Sequence, residues 1–357
     1  MKKTALYERH LSSKAKMAEF AGYLMPIQYT SIVEEHLQVR KKAGIFDVSH
    51  MGTLFVNGKE AKNFLQRIVT GNINALPKGK VLYTLMCTEN GTAVDDLFVC
   101  SLEDTRYLMV VNASNVDKDL AWLNRFKPGE VQITNATPGN SIIAVQGPLA
   151  VGIMDSICST PLSAQPSFSI RPNFVNGQPM LISRTGYTGE DGCEIYVAND
   201  HAAMVWDLLI EKGALPAGLG ARDTLRLEMG YTLYGHEISD STNVLEAGLG
   251  WIIDLASKDD FIGKAALVKS KEAGLQFKLV GLLAESKGIP RQGCPVVENE
   301  ILIGHVTSGG YSPVLEKGIA LAYVPLDKSV EGLNLSIDIR GRLLPVTVVK
   351  RKFLHGK

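Results

Sequence analysis

The chain has no pair of cysteines spaced as C-x-x-C. Its five cysteines, Cys87, Cys100, Cys158, Cys193 and Cys294, are odd in number and scattered. That pattern fits reduced thiols in a cytosolic protein and argues against a structural zinc site. Excess charge is missing as well. Lys plus Arg number 37 and Asp plus Glu number 37, giving zero formal net charge, which argues against a nucleic-acid binder held by a basic face. No apolar run approaches the length needed to cross a bilayer. The basic start, "MKKTALYERHLSSKAK", has no apolar stretch behind it, so no secretory signal is visible. There is no P-loop, no G-x-G-x-x-G after a strand, no H-E-x-x-H and no G-x-S-x-G. Seven histidines are dispersed without ligand spacing, and His50 in "FDVSHMG" reads as a hydrogen-bonded structural residue. Metal hydrolysis, nucleotide hydrolysis and triad chemistry therefore find no support.

What is present is a soluble-type composition, 45% hydrophobic and 21% charged over 357 residues, long enough for two or three domains. Residues 1–270 alternate helical patterns with short strands, an α+β texture. "SIVEEHLQVRKKAG" predicts a helix with Ile32, Val33, Leu37 and Val39 as its apolar residues and Gly44 as its stop. "GKEAKNFLQRIVTGNI" predicts a second, with Ala61, Phe64, Leu65 and Ile68 on one stripe. Strands follow near 80–87, 93–101 and 106–112. After residue 275 helical periodicity disappears, and short β-rich segments broken by Gly, Pro and Asn predict a separate small β-barrel or sandwich over 276–357.

Three segments stand out chemically. In "TENGTAVDDLFVCS" two aspartates lie within a strand. Side chains alternate between its faces, so Asp95 shares a face with Leu97 and Val99, while Asp96 shares the other with Phe98 and Cys100. Both faces are otherwise apolar, so at least one carboxylate points into packed or cleft-lining surroundings, where an unpaired charge is costly. "LISRTGYTGEDGCEIYV" reads as strand, Gly-rich loop, strand. Gly186, Gly189 and Gly192 permit unusual backbone there, and Glu194 and Tyr196 face away from the core side of Cys193, Ile195 and Val197. By base rates Glu194 is solvent-facing. "LPAGLGARDTLRLEMGY" opens a helix with Arg222 in its first turn, where the helix dipole disfavours a cation. Arg222 reads either as reaching for a distant acceptor or as a surface ion pair with Asp223.

Together these segments resemble the glycine cleavage system T-protein family of aminomethyltransferases. "MPIQYTSIVEEH", "AGIFDVSHMG", "GTAVDDLFV", "SRTGYTGEDGCEIY", "PAGLGARDTLRLE", "LEAGLGWIIDL", "FIGKAAL" and "GHVTSGGYSPVLEKGIALAYV" occur in the family's order and spacing, over essentially the whole chain. The resemblance implies a three-lobed fold, two α+β lobes and a C-terminal β-barrel lobe around a tetrahydrofolate site. It implies transfer of the methylene of an aminomethyl group, carried on lipoylated H-protein, to tetrahydrofolate, with release of ammonia and no metal. It implies functional association with the P-protein and L-protein, and a bacterial cytosolic location, or the mitochondrial matrix for a processed eukaryotic chain. By position, Asp96 matches the catalytic aspartate. Met51, Tyr83, Asn112, Tyr187, Glu194, Arg222 and Tyr231 match positions lining the folate site. The chemistry is compatible, because a pterin's amidine edge offers parallel N–H donors to a carboxylate such as Glu194 and its oxo oxygen accepts from an Arg such as Arg222. The family's Pro-Phe-aromatic ending is replaced by "KRKFLHGK", with Lys352, Phe353 and Leu354 in those places. No folate contact is assigned there, and the run Lys350, Arg351 and Lys352 reads as a solvated tail.

Two relatives of the same fold are the alternatives. An iron–sulfur-assembly helper carries K-G-C-Y-x-G-Q-E, where this chain has R-T-G-Y-T-G-E-D. A demethylase, or the folate module of a methylglycine oxidase, is usually fused to a flavin domain, and neither a dinucleotide fingerprint nor extra length is present.

Overall fold

The computed structural model describes residues 1–354, so the last three residues of the "KRKFLHGK" ending lie outside the described residues. The fold is α+β and divides into two compact units. The first comprises residues 1–86, 95–222 and 257–261, the second residues 87–94, 223–256 and 262–357.

The first unit is built on two sheets. A five-stranded sheet has the spatial order Val81–Cys87, Ala93–Glu103, Arg106–Val111, Gly52–Asn57, Gln132–Asn135. A six-stranded sheet runs Ile170–Val175, Gln178–Ser183, Gly192–Ala198, Asn140–Gln146, Gly44–Asp47, Leu215–Pro216. Its last pair is parallel and the others antiparallel. Helix Asn199–Glu211 covers the six-stranded sheet, packing Ala202, Val205, Trp206 and Leu209 against Cys193, Ile195 and Val197. This is the core face that alternation along the Gly192–Ala198 strand predicts.

Helix Ala61–Ile68 buries the stripe Ala61, Phe64, Leu65 and Ile68 as expected. Helix Ile32–Lys41 does not follow its predicted stripe. It buries Glu35, His36, Val39 and Arg40, while Val33 is exposed. The reason is polar. Both Glu35 carboxylate oxygens are spent on backbone N–H groups, those of Tyr29, Thr30 and Gly218, at 2.6–2.8 Å. Gly44 does not stop this helix either. It opens a strand, and a Cβ there would lie 2.5 Å from Val39 Cγ2.

The second unit is dominated by a closed six-stranded barrel in the order Phe277–Ala284, Lys317–Pro325, Ile301–Ser312, Pro295–Glu298, Asn334–Ile339, Arg342–Val349. Closure leaves no exposed edge. The run Lys350, Arg351 and Lys352 is only in part a solvated tail. Arg351 donates to the carbonyls of Ala247 (2.6 Å) and Gly248 (3.1 Å). Phe353 is buried with Leu227, Leu279, Ile319 and Leu321. Lys350 and Lys352 remain exposed.

Candidate functional site

Strand Ala93–Glu103 puts Asp95, Leu97 and Val99 fully inside, while Asp96 and Phe98 on the other face stay partly open. Asp96 is fixed at both oxygens. Tyr83 donates its hydroxyl to Oδ2 at 2.6 Å, and the Asn112 amide donates to Oδ1 at 2.9 Å. Burial, and then the charge of Asp95, push the Asp96 carboxyl up to about 7, against the two hydrogen bonds. A carboxylate with that affinity for protons is matched to accepting and returning a proton near neutral pH. Three of the expected site residues, Tyr83, Asp96 and Asn112, are therefore brought into one constellation.

A second constellation forms on the six-stranded sheet. Glu194 is 7% exposed, so the solvent-facing expectation fails. Its neighbours across the sheet are Ser183 and Ala144, and its Oε2 accepts from Thr185 Oγ1 at 2.6 Å. The Arg222 guanidinium lies 4.8 Å above the Tyr187 ring, a cation–π contact. The surface pairing with Asp223 does not form, since Asp223 pairs with Arg226 instead. Burial lowers the Arg222 pKa, opposed by the charge of Glu194. Its Nη1 is buried with no hydrogen-bond partner among the described residues. A buried cationic donor without an acceptor is costly, and a ligand oxygen would relieve it. The loop carrying Tyr187 is held from behind. Arg40 donates to Thr188 O at 2.6 Å and pairs with Glu190 at 2.9 Å. Thr188 Oγ1 donates to Gln146 Oε1 at 2.8 Å. A Cβ on Gly186 would sit 2.0 Å from that same Gln146 oxygen, so this glycine is required for space.

Burial first, then the charge of Glu194, pushes up the Cys100 thiol, which lies on the Asp96 side of its strand. Met51 is partly buried in the turn beside His50. His50 is not hydrogen-bonded at Nδ1, contrary to expectation. It is held edge-on by the Phe20 ring at 5.4 Å. Burial, with Arg222 nearby, lowers its pKa to about 4, so it is neutral. Tyr231 belongs to the second unit, where it is 36% exposed and its carbonyl accepts from Arg226 Nη1 at 3.0 Å.

Sequence reasoning missed Phe168. It is 51% exposed with φ 53°, an outlier conformation for a bulky residue. Its backbone is pinned by Arg184 O and Val81 N, both at 2.9 Å. Its ring extends the wall formed by Tyr83 and Phe98, at centroid spacings of 5.4 and 6.5 Å. Nothing in "SFSI" signals this. Arg40 and Thr185 were also missed, because a supporting polar residue has no motif of its own.

The comparisons identify the family. Residues 6–257 match the family model described as the GCVT N-terminal domain, and residues 278–354 the glycine cleavage T-protein C-terminal barrel domain. The chain is 47% identical to an aminomethyltransferase of Halothermothrix orenii, over 99% of this chain and 100% of that one. It is 45% identical to one of Thermus thermophilus, over 100% of both. A crystal structure of the glycine cleavage system aminomethyltransferase T from Bartonella henselae superposes with a TM-score of 0.93 at 32% identity, covering 99% of this chain and 98% of that one. With both family models matched and full-length relatives above 40% identity, the chain belongs to the glycine cleavage T-protein family of aminomethyltransferases.

Proposed function

We propose that this chain transfers the methylene of an aminomethyl group, presented on the lipoyl arm of an H-protein, to tetrahydrofolate. The products are 5,10-methylenetetrahydrofolate, ammonia and the freed lipoyl thiol. Atoms balance, since the two N–H protons lost by the folate go to the departing nitrogen and sulfur. The carrying observation is the Tyr83–Asp96–Asn112 constellation, a half-open carboxylate gripped at both oxygens and titrating near neutrality. Asp96 orients the attacking folate nitrogen, stabilises positive charge developing at the methylene carbon and accepts a proton. Glu194 takes pterin N–H donors and Arg222 Nη1 an oxo oxygen. Tyr187 and Met51 line the same ligand. P- and L-proteins belong to the same proposal, as the reactions that load and reoxidise the carrier. Among the described residues no helix is long and apolar enough to cross a membrane. The test is ammonia release from aminomethylated H-protein, expected only with tetrahydrofolate. Release of formaldehyde from N-methylglycine instead would replace this reading with the demethylase.

Two expectations follow. Glu194→Gln and Arg222→Ala each weaken tetrahydrofolate binding about ten- to a hundredfold, the worth of a lost charge-assisted hydrogen bond of ~1.5–3 kcal/mol. Calorimetric titration measures this, and unchanged affinity in either variant removes that residue from the site. The rate has an acid limb. Asp96 is protonated and idle below its pKa, so the single-turnover rate rises with pH through about 7. A flat profile between pH 6 and 8 would show that no proton at Asp96 matters.

A further inference from the structure

We infer that Asp119 is a positioning residue for this transfer, holding the proton that lets Asp95 stand as an anion behind Asn112, which in turn aims Asp96. The inference deepens the proposed function and rests on it for its kinetic part.

Counting donors places the proton. Asp95 Oδ1 receives the side-chain amides of Asn112 at 2.9 Å and Asn115 at 2.6 Å, and Oδ2 receives the backbone N–H of Asn112 at 3.0 Å. Three N–H donors converge on it beside the short turn Ala113–Asn115. Asp119, on helix Val116–Phe126, is equally buried, yet neither of its oxygens meets a hydrogen-bond donor. It lies against the Asp95 carboxylate. Two adjacent buried carboxyls cannot both ionise. The hydrogen-bonded one keeps the charge and the bare one keeps the proton. Burial pushes Asp95 up too, but hydrogen bonds from Asp119, Asn112 and Asn115 oppose that, whereas Asp119 has no such relief. Burial first, then Asp95 and more weakly Asp96, push Asp119 up to about 11, with only Lys118 opposing.

The consequence runs through a single nitrogen. Asn112 Nδ2 touches Asp95 Oδ1 (2.9 Å), Asp96 Oδ1 (2.9 Å) and the Asp96 carbonyl (3.1 Å). An anionic Asp95 anchors that amide on one side, so its other hydrogen is directed at Asp96. The same anion opposes ionisation of Asp96 and makes it a stronger base. Asp95 thus does more than hold the strand in place, even though its side chain points to the opposite face.

The experiment has two arms. In single-turnover transfer, Asp119→Leu removes the O–H donor, so Asp95 competes for the proton itself. The rate is expected to fall about tenfold or more through lost aim, with tetrahydrofolate affinity kept and the acid limb moved to lower pH. Asp119→Asn, a neutral donor of the same size, is expected to restore both rate and limb. A folded Asp119→Leu protein with the wild-type limb, or an Asp119→Asn protein as impaired as the leucine variant, overturns the inference. The second arm needs no turnover. Difference infrared spectra of the whole chain in alkaline buffer should show a protonated carboxylic acid that disappears in Asp119→Asn. If that band is present and the wild type transfers nothing, the proposed function fails and the acid pair stands. If the wild type transfers normally without the band, the acid pair fails and the function stands.

Discussion

Asp96→Asn is expected to fold, to bind tetrahydrofolate and to form methylenetetrahydrofolate about 10²–10⁴-fold more slowly, the span for loss of a general base or an electrostatic stabiliser. Asparagine keeps the size and can still accept from one of the two donors, Tyr83 or Asn112, while its own amide group faces the other. Charge, basicity and one accepted hydrogen bond are lost. Stability should not suffer. The carboxyl is harder to ionise in the folded chain than in the unfolded one, so above its unfolded pKa the charge weighs against the fold, and fully so above about pH 7. The amide removes that burden, and the melting temperature at pH 8 should hold or rise. Single-turnover kinetics and thermal melting on one preparation check both halves. A well-folded, fully active Asp96→Asn protein would mean that the reacting proton goes elsewhere.

Glu237→Ala is expected to be the most damaging single change in the second unit, at about 3–5 kcal/mol. Arg226 and Glu237 are 1% and 0% exposed at their side chains and meet at 3.0 Å. Arg226 also donates to Asp223, Ser308 and the Tyr231 carbonyl. Glu237 accepts from Leu233 N at 3.0 Å and Thr307 Oγ1 at 2.7 Å. Truncating the acid leaves a buried guanidinium without its main counter-charge and orphans the Leu233 N–H, while Thr307 keeps the Leu321 carbonyl. The double variant Arg226→Met, Glu237→Leu should recover part of the loss, because no bare charge remains. Denaturant melts decide it. A Glu237→Ala protein within 1 kcal/mol of wild type would show that water reaches the pair.

Much of this was legible in the chain. Strand alternation alone separated Asp95 from Asp96, and the change of texture after residue 275 marked the barrel. The polar frame was not legible. Glu35 and Arg40 occupy the buried face of their helix, yet in a sequence they look like its wet face. Periodicity senses hydrophobicity and is blind to a carboxylate that caps backbone from inside. Glu194 misled for the same reason, since base rates assume water where the fold supplies Thr185 and Arg222. Arg226 stood four residues after Arg222 with nothing to distinguish it, and only tertiary placement shows it inside an ion-pair network.

The pairing of the barrel's first and last strands has a consequence for synthesis. The barrel's first strand, Phe277–Ala284, pairs on one side with Arg342–Val349, and Phe353 completes the cluster beneath it. A ribosome adding about 5–20 residues per second makes the first of these segments several seconds before the last. Throughout that interval the strand waits with an open hydrogen-bonding edge and an uncovered apolar floor. The barrel therefore closes only once residues 342–353 have been made, and a chain stopped before them keeps that edge and floor uncovered.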